Sequence, residues 1–258
     1  AFLSKAPLPG GVSRPAEGHP DKKLFKGENQ MEVVVVTGAG SGLGACVARR
    51  FSQGGARVIL LGRTRERLER TAASLSGESA VYPLDVSRKA QVEETFARIY
   101  QDEGTIHRLV NCAGVGIFDL AENLGQDAVD AMIDTNLKGT IYPTQAVLPR
   151  MKRDNSGCVI NVISLSGVRA NPTESVYCAS KFGVEGFSKA VALETAGTGI
   201  RISNFYMGNM ATELWKGDRA EEMPEFIRPE DVADLIYLTT IPRGRMLVEE
   251  VRIRNFRG

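Results

Sequence analysis

Two groups suited to proton chemistry occur in the stretch Ser175-Val-Tyr-Cys-Ala-Ser-Lys181, a phenol at Tyr177 and an ammonium at Lys181. Four residues apart on a helix, these side chains lie one above the other on the same face, where the positive charge favours the phenolate. An unassisted phenol titrates near pH ~10, and a general acid/base works best when its pKa is near the working pH. The spacing therefore predicts that Tyr177 is a general acid/base, although a solvated pair on a helix surface has the same spacing.

A glycine-rich turn, Thr37-Gly-Ala-Gly-Ser-Gly-Leu-Gly44, follows a β-branched run and opens a helix. Gly38, Gly42 and Gly44 permit a tight turn, let a pyrophosphate approach the backbone and allow the helix to pack closely on the strand. The helix N-terminus also offers unpaired N–H groups to phosphates. A purely structural turn is the alternative, but the position between strand and helix favours a dinucleotide site.

The second predicted strand ends at Leu60-Leu-Gly-Arg-Thr64, where a dinucleotide fold usually carries an acid for the adenosine ribose. Here the acid is absent and Arg63 is next in line, a planar cation suited to a 2′-phosphate. NADP is therefore the expected cofactor, with NAD as the alternative. Arg63 also begins a run of arginines that would be solvated on a helix surface.

From Met31 onward, short β-branched runs alternate with helical stretches. This alternation predicts a single doubly wound α/β domain of the Rossmann type, with a parallel sheet covered by helices on both faces. The predicted strands are Val33–Thr37, Arg57–Leu61, a third ending near Pro83, Leu109–Cys112, Val159–Ile163, Ile200–Phe205 and Leu247–Ile253. The predicted helices are Gly42–Gln53, Arg65–Ser74, Lys89–Glu103, Asn136–Lys152, Ser175–Ala196 and Pro229–Leu238. Residues 1–30 are rich in proline and glycine and are expected to form an irregular arm before the domain at residues 31–258.

Composition argues against several classes of function. The chain has 32 basic and 31 acidic residues and a net charge of +1, so it has no charge surplus for nucleic acid or an anionic membrane. No apolar run approaches the ~20 residues that span a bilayer, and no secretory signal is evident, so a soluble, cytoplasmic protein is expected. The four cysteines have no paired short spacing, and His19 and His107 form no cluster, so neither disulfides nor a metal site are expected.

Further motifs occur in order along the chain. Asn111-Cys-Ala-Gly114 follows the fourth strand, Asn136 lies in Asp134-Thr-Asn-Leu-Lys-Gly139, and Ser164 lies 13 residues before Tyr177. With the glycine turn and the Tyr–Lys pair, they make the sequence resemble the compact, single-domain members of the short-chain dehydrogenase/reductase family from about Met31 to the C-terminus. The resemblance implies an NAD(P)-dependent oxidoreductase that transfers a hydride between nicotinamide and a carbonyl or secondary alcohol.

The resemblance also implies roles for individual side chains. Tyr177 would exchange a proton with the substrate oxygen, Ser164 would hydrogen-bond that oxygen, and Lys181 would bind the nicotinamide ribose and favour the tyrosinate. Asn136 would hold a water molecule of the proton relay. Cofactor contacts are expected from Gly38, Ser41, Gly42, Leu43, Gly44, Arg63, Asp85, Val86, Asn111, Ala113, Gly114, Tyr177, Lys181, Met210 and Thr212.

Two positions qualify the resemblance. Asp85 matches the family's adenine contact, although an aspartate at a strand end often only caps a helix. Met207-Gly208 stands where the family usually has Pro-Gly, so the turn after the sixth strand is expected to be looser. Thr212 still matches the residue that contacts the nicotinamide carboxamide.

The expected substrate pocket is mostly apolar, which favours a hydrophobic ketone or alcohol as the small-molecule substrate. It comprises Ser164, Tyr177, Phe118, Leu165, Leu214 and Trp215, with Met210 and residues near Val168. The stretch Arg228–Asp234 and the C-terminal residues resemble the branch that contains NADP-dependent 3-hydroxy acid dehydrogenases and carbonyl reductases. The alternatives are a 3-oxoacyl (carrier protein) reductase and a non-catalytic dinucleotide-sensing module, and the intact Ser164, Tyr177 and Lys181 disfavour the second.

A homodimer or homotetramer is expected through the helices near Asn136–Lys152 and Ser175–Ala196. The family resemblance motivates this expectation, and so do apolar residues in excess of what a sheet-facing side requires. These residues include Val147, Leu148, Phe182, Phe187 and Val191.

Overall fold

The computed structural model describes residues 31–213, 220–241 and 246–256, and the predicted arm at residues 1–30 lies outside them. The strands are β1 Val33–Thr37, β2 Arg57–Gly62, β3 Ser79–Pro83, β4 Arg108–Asn111, β5 Gly157–Ser164, β6 Ile200–Met207 and β7 Glu250–Ile253. The helices are α1 Gly42–Gln53, α2 Arg65–Ala73, α3 Lys89–Glu103, α4 Gln126–Met132, α5 Gly139–Asp154, α6 Ser175–Glu194 and α7 Pro229–Thr240. These strands form one sheet in the order β3-β2-β1-β4-β5-β6-β7, and every pairing is parallel.

The apolar residues of each central strand are buried on both faces of the sheet. Val34 of β1 packs with Phe51 of α1 in a core that also contains residues of α2 and α7. Its neighbour Val35 points to the other face and packs with Phe96 of α3 in a core shared with α5 and α6. Continuous apolar strands are buried in this way when helices cover both faces, so the predicted Rossmann-type fold is confirmed.

Two predicted elements differ at their starts from the sequence pattern. The helix predicted from Asn136 starts as a π-helical turn at Ile133–Lys138, and the regular α5 follows at Gly139. The last strand was expected from Leu247 but pairs with β6 from Glu250 only. In both places the sequence pattern alone cannot show where regular hydrogen bonding begins.

A row of buried asparagines crosses the centre of the sheet. Asn111 of β4, Asn161 of β5 and Asn204 of β6 are register partners. Asn111 Nδ2 donates to Asn161 Oδ1 at 2.9 Å, and Asn161 Nδ2 donates to Ser188 Oγ at 2.9 Å. The Ser188 hydroxyl donates in turn to Asn204 Oδ1 at 2.6 Å. Because buried polar groups are costly unless paired, this network fixes α6 against three strands, directly below the strand ends that carry the predicted site.

The apolar residues of α5 and α6 fall into two groups. Val147 and Val191 are buried in the core beneath the sheet, so they do not contribute to an unpartnered surface, whereas Phe182 is 44% exposed and Leu193 is 79% exposed. Leu148 and Phe187 pack against the core from partly buried positions. The apolar excess on these helices is therefore smaller than the sequence suggests.

None of the helices formed by the described residues is both long and apolar enough to cross a bilayer. The four cysteines are free thiols, and the described part of the chain holds no group of three or more potential metal ligands. His107 Nδ1 accepts a hydrogen bond from the Val33 N–H at 2.9 Å, and burial lowers the pKa of this imidazole. His107 thus joins the start of β1 to the approach to β4, while His19 lies outside the described residues.

Candidate active site

A cleft of about 530 Å³ opens at the C-terminal ends of the strands. It lies where the strand order reverses between β1 and β4, the position at which open parallel sheets bind ligands. The predicted site residues that line it are Gly38, Ser41, Gly42, Leu43, Gly44, Arg63, Asp85, Val86, Ala113, Gly114, Ser164, Leu165, Tyr177, Lys181, Met210 and Thr212. The fold thus brings together motifs that are up to 174 residues apart, from 38 to 212.

The glycine turn is shaped by close backbone contacts. Gly38 has a φ of 66°, and a Cβ there would lie 2.8 Å from Ala113 Cα. A Cβ on Gly44 would lie 2.3 Å from the Gly38 carbonyl oxygen, so any side chain would force the turn apart. Ser41 is the N-cap of α1, and its side chain makes no capping hydrogen bond. The N-terminal N–H groups of a 12-residue helix therefore face the cleft, as an anion site requires.

Thr37 joins the glycine turn to the motif after β4. Its Oγ1 accepts hydrogen bonds from the N–H groups of Cys112 and Ala113, at 3.1 and 3.2 Å. Asn111, predicted to contact the cofactor, does not line the cleft, because its side chain is buried in the asparagine row and donates to Thr144 and Asn161. Asn111 therefore supports the site from below, and Ala113 and Gly114 form its surface.

Asp85 lies at the cleft beyond β3 and has a local structural role there. Its Oδ1 accepts hydrogen bonds from the Ser87 N–H at 3.0 Å and from the Ser87 hydroxyl at 2.7 Å. Asp85 thus closes a local turn onto Ser87 and is not the cap of α3, whose N-cap is Arg88, while Asp85 lines the cleft at the same time. Val86 beside it is buried and packs within the core.

Two arginines border the cleft at the end of β2. Arg63 is exposed and lines it beside Gly62, as expected from the sequence. Arg67 also lines it, one turn into α2, and its Nη1 lies 2.9 Å from Glu213 Oε2. Sequence reasoning assigned Arg67 only to a solvated run, and spacing from Arg63 was the signal that could have placed it here.

The loop after β6 is held by main-chain hydrogen bonds. The Gly208 N–H donates to Ile253 O at 2.8 Å, and Asn209 O accepts from the Ile227 N–H at 3.0 Å. These bonds restrain the turn that was expected to be loose without its proline. The loop carries Thr212 to the glycine turn, where a Cβ on Gly42 would lie 3.4 Å from Thr212 Cγ2. Leu214 and Trp215, predicted to contact substrate, lie outside the described residues.

Asn136 lies in the π-helical turn, and both of its amide protons bind protein atoms. Its Nδ2 donates to Val115 O and to Ser180 Oγ, each at 2.9 Å, and its Oδ1 accepts from the Val115 N–H at 2.8 Å. The side chain therefore ties the loop after β4 to α6. A water-holding role for the amide group, as the sequence implied, would have to compete with these bonds.

Ser164, Tyr177 and Lys181 meet in the cleft, and burial shifts the pKa values of the tyrosine and the lysine. Burial raises the pKa of Tyr177 to about 12, which Ser164 opposes and the charge of Glu174 reinforces. Burial also lowers the pKa of Lys181 to about 8. Lys181 Nζ lies 5.8 Å from the centre of the Tyr177 ring. Burial is thus the largest influence on the phenol pKa, and the expectation that the Lys181 ammonium favours the phenolate stays a prediction.

The cleft beyond Ser164 is more polar than the sequence suggested. Leu165 lines it as predicted, but Ser166, Arg169, Asn171 and Glu174 line it as well, so a mostly apolar pocket is not what the described residues form. Sequence reasoning missed these four because the family resemblance assigns no role to any of them, although Ser166 lies in the same motif as Ser164 and all lie within 13 residues of Tyr177. Phe118 does not line the cleft and packs edge-on against the Tyr177 ring instead, with the ring centroids 5.4 Å apart.

The residues present fit a dinucleotide. The helix N-terminus and the side-chain-free surface of the glycine turn suit a pyrophosphate, and Arg63 at the end of β2 suits the adenosine ribose or a phosphate on it. Lys181 is 6% exposed, and Val162 O at 3.4 Å is the hydrogen-bond acceptor that the described residues provide for its Nζ. A buried ammonium with one long hydrogen bond retains donors for the hydroxyl groups of a ligand.

Comparison with known proteins agrees with this geometry. Residues 32–223 match the family model for short chain dehydrogenases. An uncharacterised oxidoreductase of Staphylococcus aureus is 34% identical over 225 residues, which cover 86% of this chain and 96% of that protein.

Two solved structures have the same fold over nearly their whole length. A serine dehydrogenase in complex with NADP+ is 33% identical with a TM-score of 0.81, covering 86% of this chain and 94% of that one. The alcohol dehydrogenase of the archaeon Thermococcus sibiricus, in complex with 5-hydroxy-NADP, is 26% identical with a TM-score of 0.81, covering 88% and 97%. The chain therefore belongs to the short-chain dehydrogenase/reductase family and is an oxidoreductase acting on CH–OH and C=O groups.

Proposed function

We propose that the protein is an NADP-dependent oxidoreductase that transfers a hydride between nicotinamide and a carbonyl or secondary alcohol, with Tyr177 as the general acid/base. The observation that carries the proposal is the convergence of Ser164, Tyr177 and Lys181 in the cleft that the glycine turn borders. A dinucleotide-sensing module would not need a buried phenol beside a buried ammonium, because binding alone requires no proton transfer.

The nicotinamide, when bound, supplies or accepts the hydride. Tyr177 Oη gives its proton to the carbonyl oxygen during reduction and takes one from the alcohol during oxidation. Ser164 Oγ holds that oxygen in place, and Lys181 Nζ stabilises the phenolate through its charge and hydrogen-bonds to the bound cofactor. Phe118, packed on the Tyr177 ring, keeps the phenol in position and excludes water from its edge.

The polar lining near Ser164 favours a substrate with a second polar group close to the reacting carbon. Arg169 suits a carboxylate, whereas Asn171 and Glu174 suit a hydroxyl or amino group. Two of the structural neighbours are serine dehydrogenases, which is consistent with a small hydroxy acid. This proposal replaces the hydrophobic ketone expected from the sequence.

A panel of alcohols and carbonyl compounds, assayed with both cofactors through the absorbance of the reduced nicotinamide, tests the proposal. Small hydroxy acids and hydroxy amino acids should be oxidised with higher kcat/KM than apolar alcohols of similar size. Much faster turnover of a carrier-linked 3-oxoacyl group than of its free counterpart would instead indicate a 3-oxoacyl reductase. Turnover of none of these compounds would contradict the oxidoreductase assignment.

Arg63 is expected to set the cofactor preference. Arg63→Ala should lower kcat/KM for NADPH by about ten- to a hundredfold, because it removes a charge-assisted hydrogen bond to the 2′-phosphate. The value for NADH should change by less than about twofold, since NADH has no such phosphate. Initial rates measured over a range of concentrations of each cofactor give kcat/KM for NADPH and for NADH, and hence the ratio of the two.

Arg67→Ala should have the smaller effect of the two, because Glu213 already pairs with this guanidinium at 2.9 Å. Arg65→Ala is the matched control, since Arg65 is exposed, pairs with Glu69 and does not line the cleft. Equal use of NAD and NADP by the unmodified protein would show that Arg63 has no such role.

We also propose that the protein is a homodimer or homotetramer through α5 and α6. The exposed Phe182 and Leu193 of α6 support this, together with family membership, although the buried Val147 and Val191 no longer do. Light scattering at micromolar concentration should give a mass of about two or four times 28.0 kDa. Phe182→Glu should shift the particle toward the monomer, and a wild-type mass near 28.0 kDa would contradict the proposal.

A further inference from the structure

Side-chain hydrogen bonds connect Ser164 to a carboxylate at the substrate end of the cleft. The Ser164 hydroxyl donates to Ser166 Oγ at 3.1 Å, and the Ser166 hydroxyl donates to Glu174 Oε2 at 2.6 Å. Asn171 Nδ2 donates to the same Oε2 at 2.9 Å and to Ser166 Oγ at 3.3 Å. We call these hydrogen bonds the Glu174 chain. The chain begins at Ser164, which is proposed to hold the reacting oxygen, and ends at Glu174, which belongs to none of the family motifs.

The carboxylate decides the direction of every hydrogen bond in the Glu174 chain. An ionised carboxylate accepts hydrogen bonds and cannot donate, so Ser166 must use its proton on Glu174. The Ser166 oxygen is then an acceptor, and Ser164 directs its own proton to it. The Ser166 N–H donates to Ser164 Oγ at 3.1 Å and strengthens this arrangement. With its only proton engaged, Ser164 faces Tyr177 and the substrate as an acceptor.

We propose that Glu174 is a positioning residue whose carboxylate, acting through Ser166, draws the hydroxyl proton of Ser164 away from the reacting oxygen. Ser164 then accepts a hydrogen bond from an alcohol substrate or from the Tyr177 hydroxyl. To donate to a carbonyl oxygen, Ser164 must first break its hydrogen bond to Ser166. The protein thereby favours the alcohol over the carbonyl compound in its ground-state complexes. This inference rests on the proposed function of Tyr177 and Ser164.

The turn that presents Glu174 is held by backbone hydrogen bonds. Thr173, directly before it, has a φ of 62°, which is rare for a β-branched residue and strained. The turn is held by the Asp119 N–H, which donates to Thr173 O at 3.0 Å, and by the Glu174 N–H, which donates to Asn171 O at 3.3 Å. These hydrogen bonds hold the backbone immediately before Glu174 in place despite the strain.

The ionisation of Tyr177 reports the direction of the Glu174 chain. While Ser166 holds the Ser164 proton, Ser164 cannot donate it fully to the phenolate, whereas a freed Ser164 donates it and stabilises the phenolate. The Glu174 chain thus weakens the hydrogen bond by which Ser164 opposes the rise in the Tyr177 pKa. The other titratable groups around Tyr177 are Glu174 at the N-cap of α6 and Cys178 and Lys181 within α6, and Phe118 packs on its ring from the loop after β4. Freeing the Ser164 hydroxyl from Ser166 should therefore lower the pKa of Tyr177 without altering any of these groups.

Ser166→Ala is the discriminating variant, because it breaks the Glu174 chain and keeps the carboxylate charge. In Ser166→Ala and in Glu174→Gln, the apparent pKa of log kcat for alcohol oxidation should fall by about one pH unit. The same shift should appear without substrate. At about pH 10 the fraction of ionised Tyr177, measured as tyrosinate absorbance against the matching Tyr177→Phe protein, should rise by up to about tenfold.

Glu194→Gln is the control, because this exposed carboxylate is on the same helix and outside the cleft. It should leave both measurements at their wild-type values. If the alanine variant loses its NADPH binding, Ser166→Cys replaces it in both measurements, because cysteine is nearly the same size as serine and is a weak donor. A shift in Glu174→Gln with none in Ser166→Ala would show that Glu174 acts by its charge alone and would overturn the proposal.

No shift in either variant would overturn it as well. Failure of the wild type to turn over any substrate would contradict the proposed function, and the absorbance measurement would still decide whether the Glu174 chain exists.

Discussion

Tyr177→Phe should lower kcat by about 10²–10⁴-fold while NADPH binding is retained, because the variant keeps the ring and loses only the proton donor. The ring itself is needed, since Phe118 packs on its edge with the centroids 5.4 Å apart. The loss should appear equally in kcat and kcat/KM, as expected for a group that acts in the transition state. Steady-state rates with the best substrate of the panel, together with NADPH fluorescence titration, measure both quantities.

Tyr237→Phe is the matched control for this prediction. Tyr237 packs edge-on against Phe51 and beneath the Arg50 guanidinium, on the opposite side of the sheet from α6, so its hydroxyl is remote from the reaction. This variant should keep wild-type kcat. A Tyr177→Phe enzyme with near-wild-type turnover would show that another group transfers the proton.

The fold could be predicted because the pattern that specifies it is local. The four valines of β1, residues 33–36, are a continuous apolar run, and its alternate residues enter the two cores that the helices on either face require. The glycine turn could also be predicted from the sequence, because the contacts that exclude a side chain at Gly38 and Gly44 arise within the tight connection between β1, the motif after β4 and α1. In these places the local preference and the tertiary structure agree.

The rest of the site depends on what surrounds each residue. Asn111 belongs to a motif, yet its direction is set by Asn161 and Thr144 of other elements, and these turn it away from the cleft. Glu174 belongs to no motif and reaches the cleft through a strained turn that no propensity indicates. Tyr177 and Lys181 have the predicted spacing, but their pKa values follow from burial, which spacing on one helix does not reveal.

The same burial means that the Lys181 ammonium lowers the free energy of unfolding, a cost that the proposed function explains. Its pKa is lowered from 10.5 to about 8, so the unfolded chain binds the proton more tightly than the folded one. By linkage the cost is complete below pH 8, declines as pH rises, and vanishes above the unfolded value near pH ~10.5. At about 1.4 kcal/mol per pH unit, the cost at neutral pH is up to about 3 kcal/mol.

Lys181→Met, which keeps the length of the side chain, should therefore raise the free energy of unfolding at pH 7 by about 1–3 kcal/mol while lowering kcat by at least about 100-fold. Denaturant unfolding at pH 7 and at pH 10 measures the first effect, and the stability difference between variant and wild type should shrink at the higher pH. Lys189→Met on the same helix is the control. Lys189 pairs with Glu185 at 2.6 Å and with Glu250 at 3.3 Å, and these partners raise its pKa, so its loss should not stabilise the protein. A Lys181→Met protein no more stable than wild type, with an unchanged dependence on pH, would show that the ammonium is solvated in the folded protein and that burial does not tune this site.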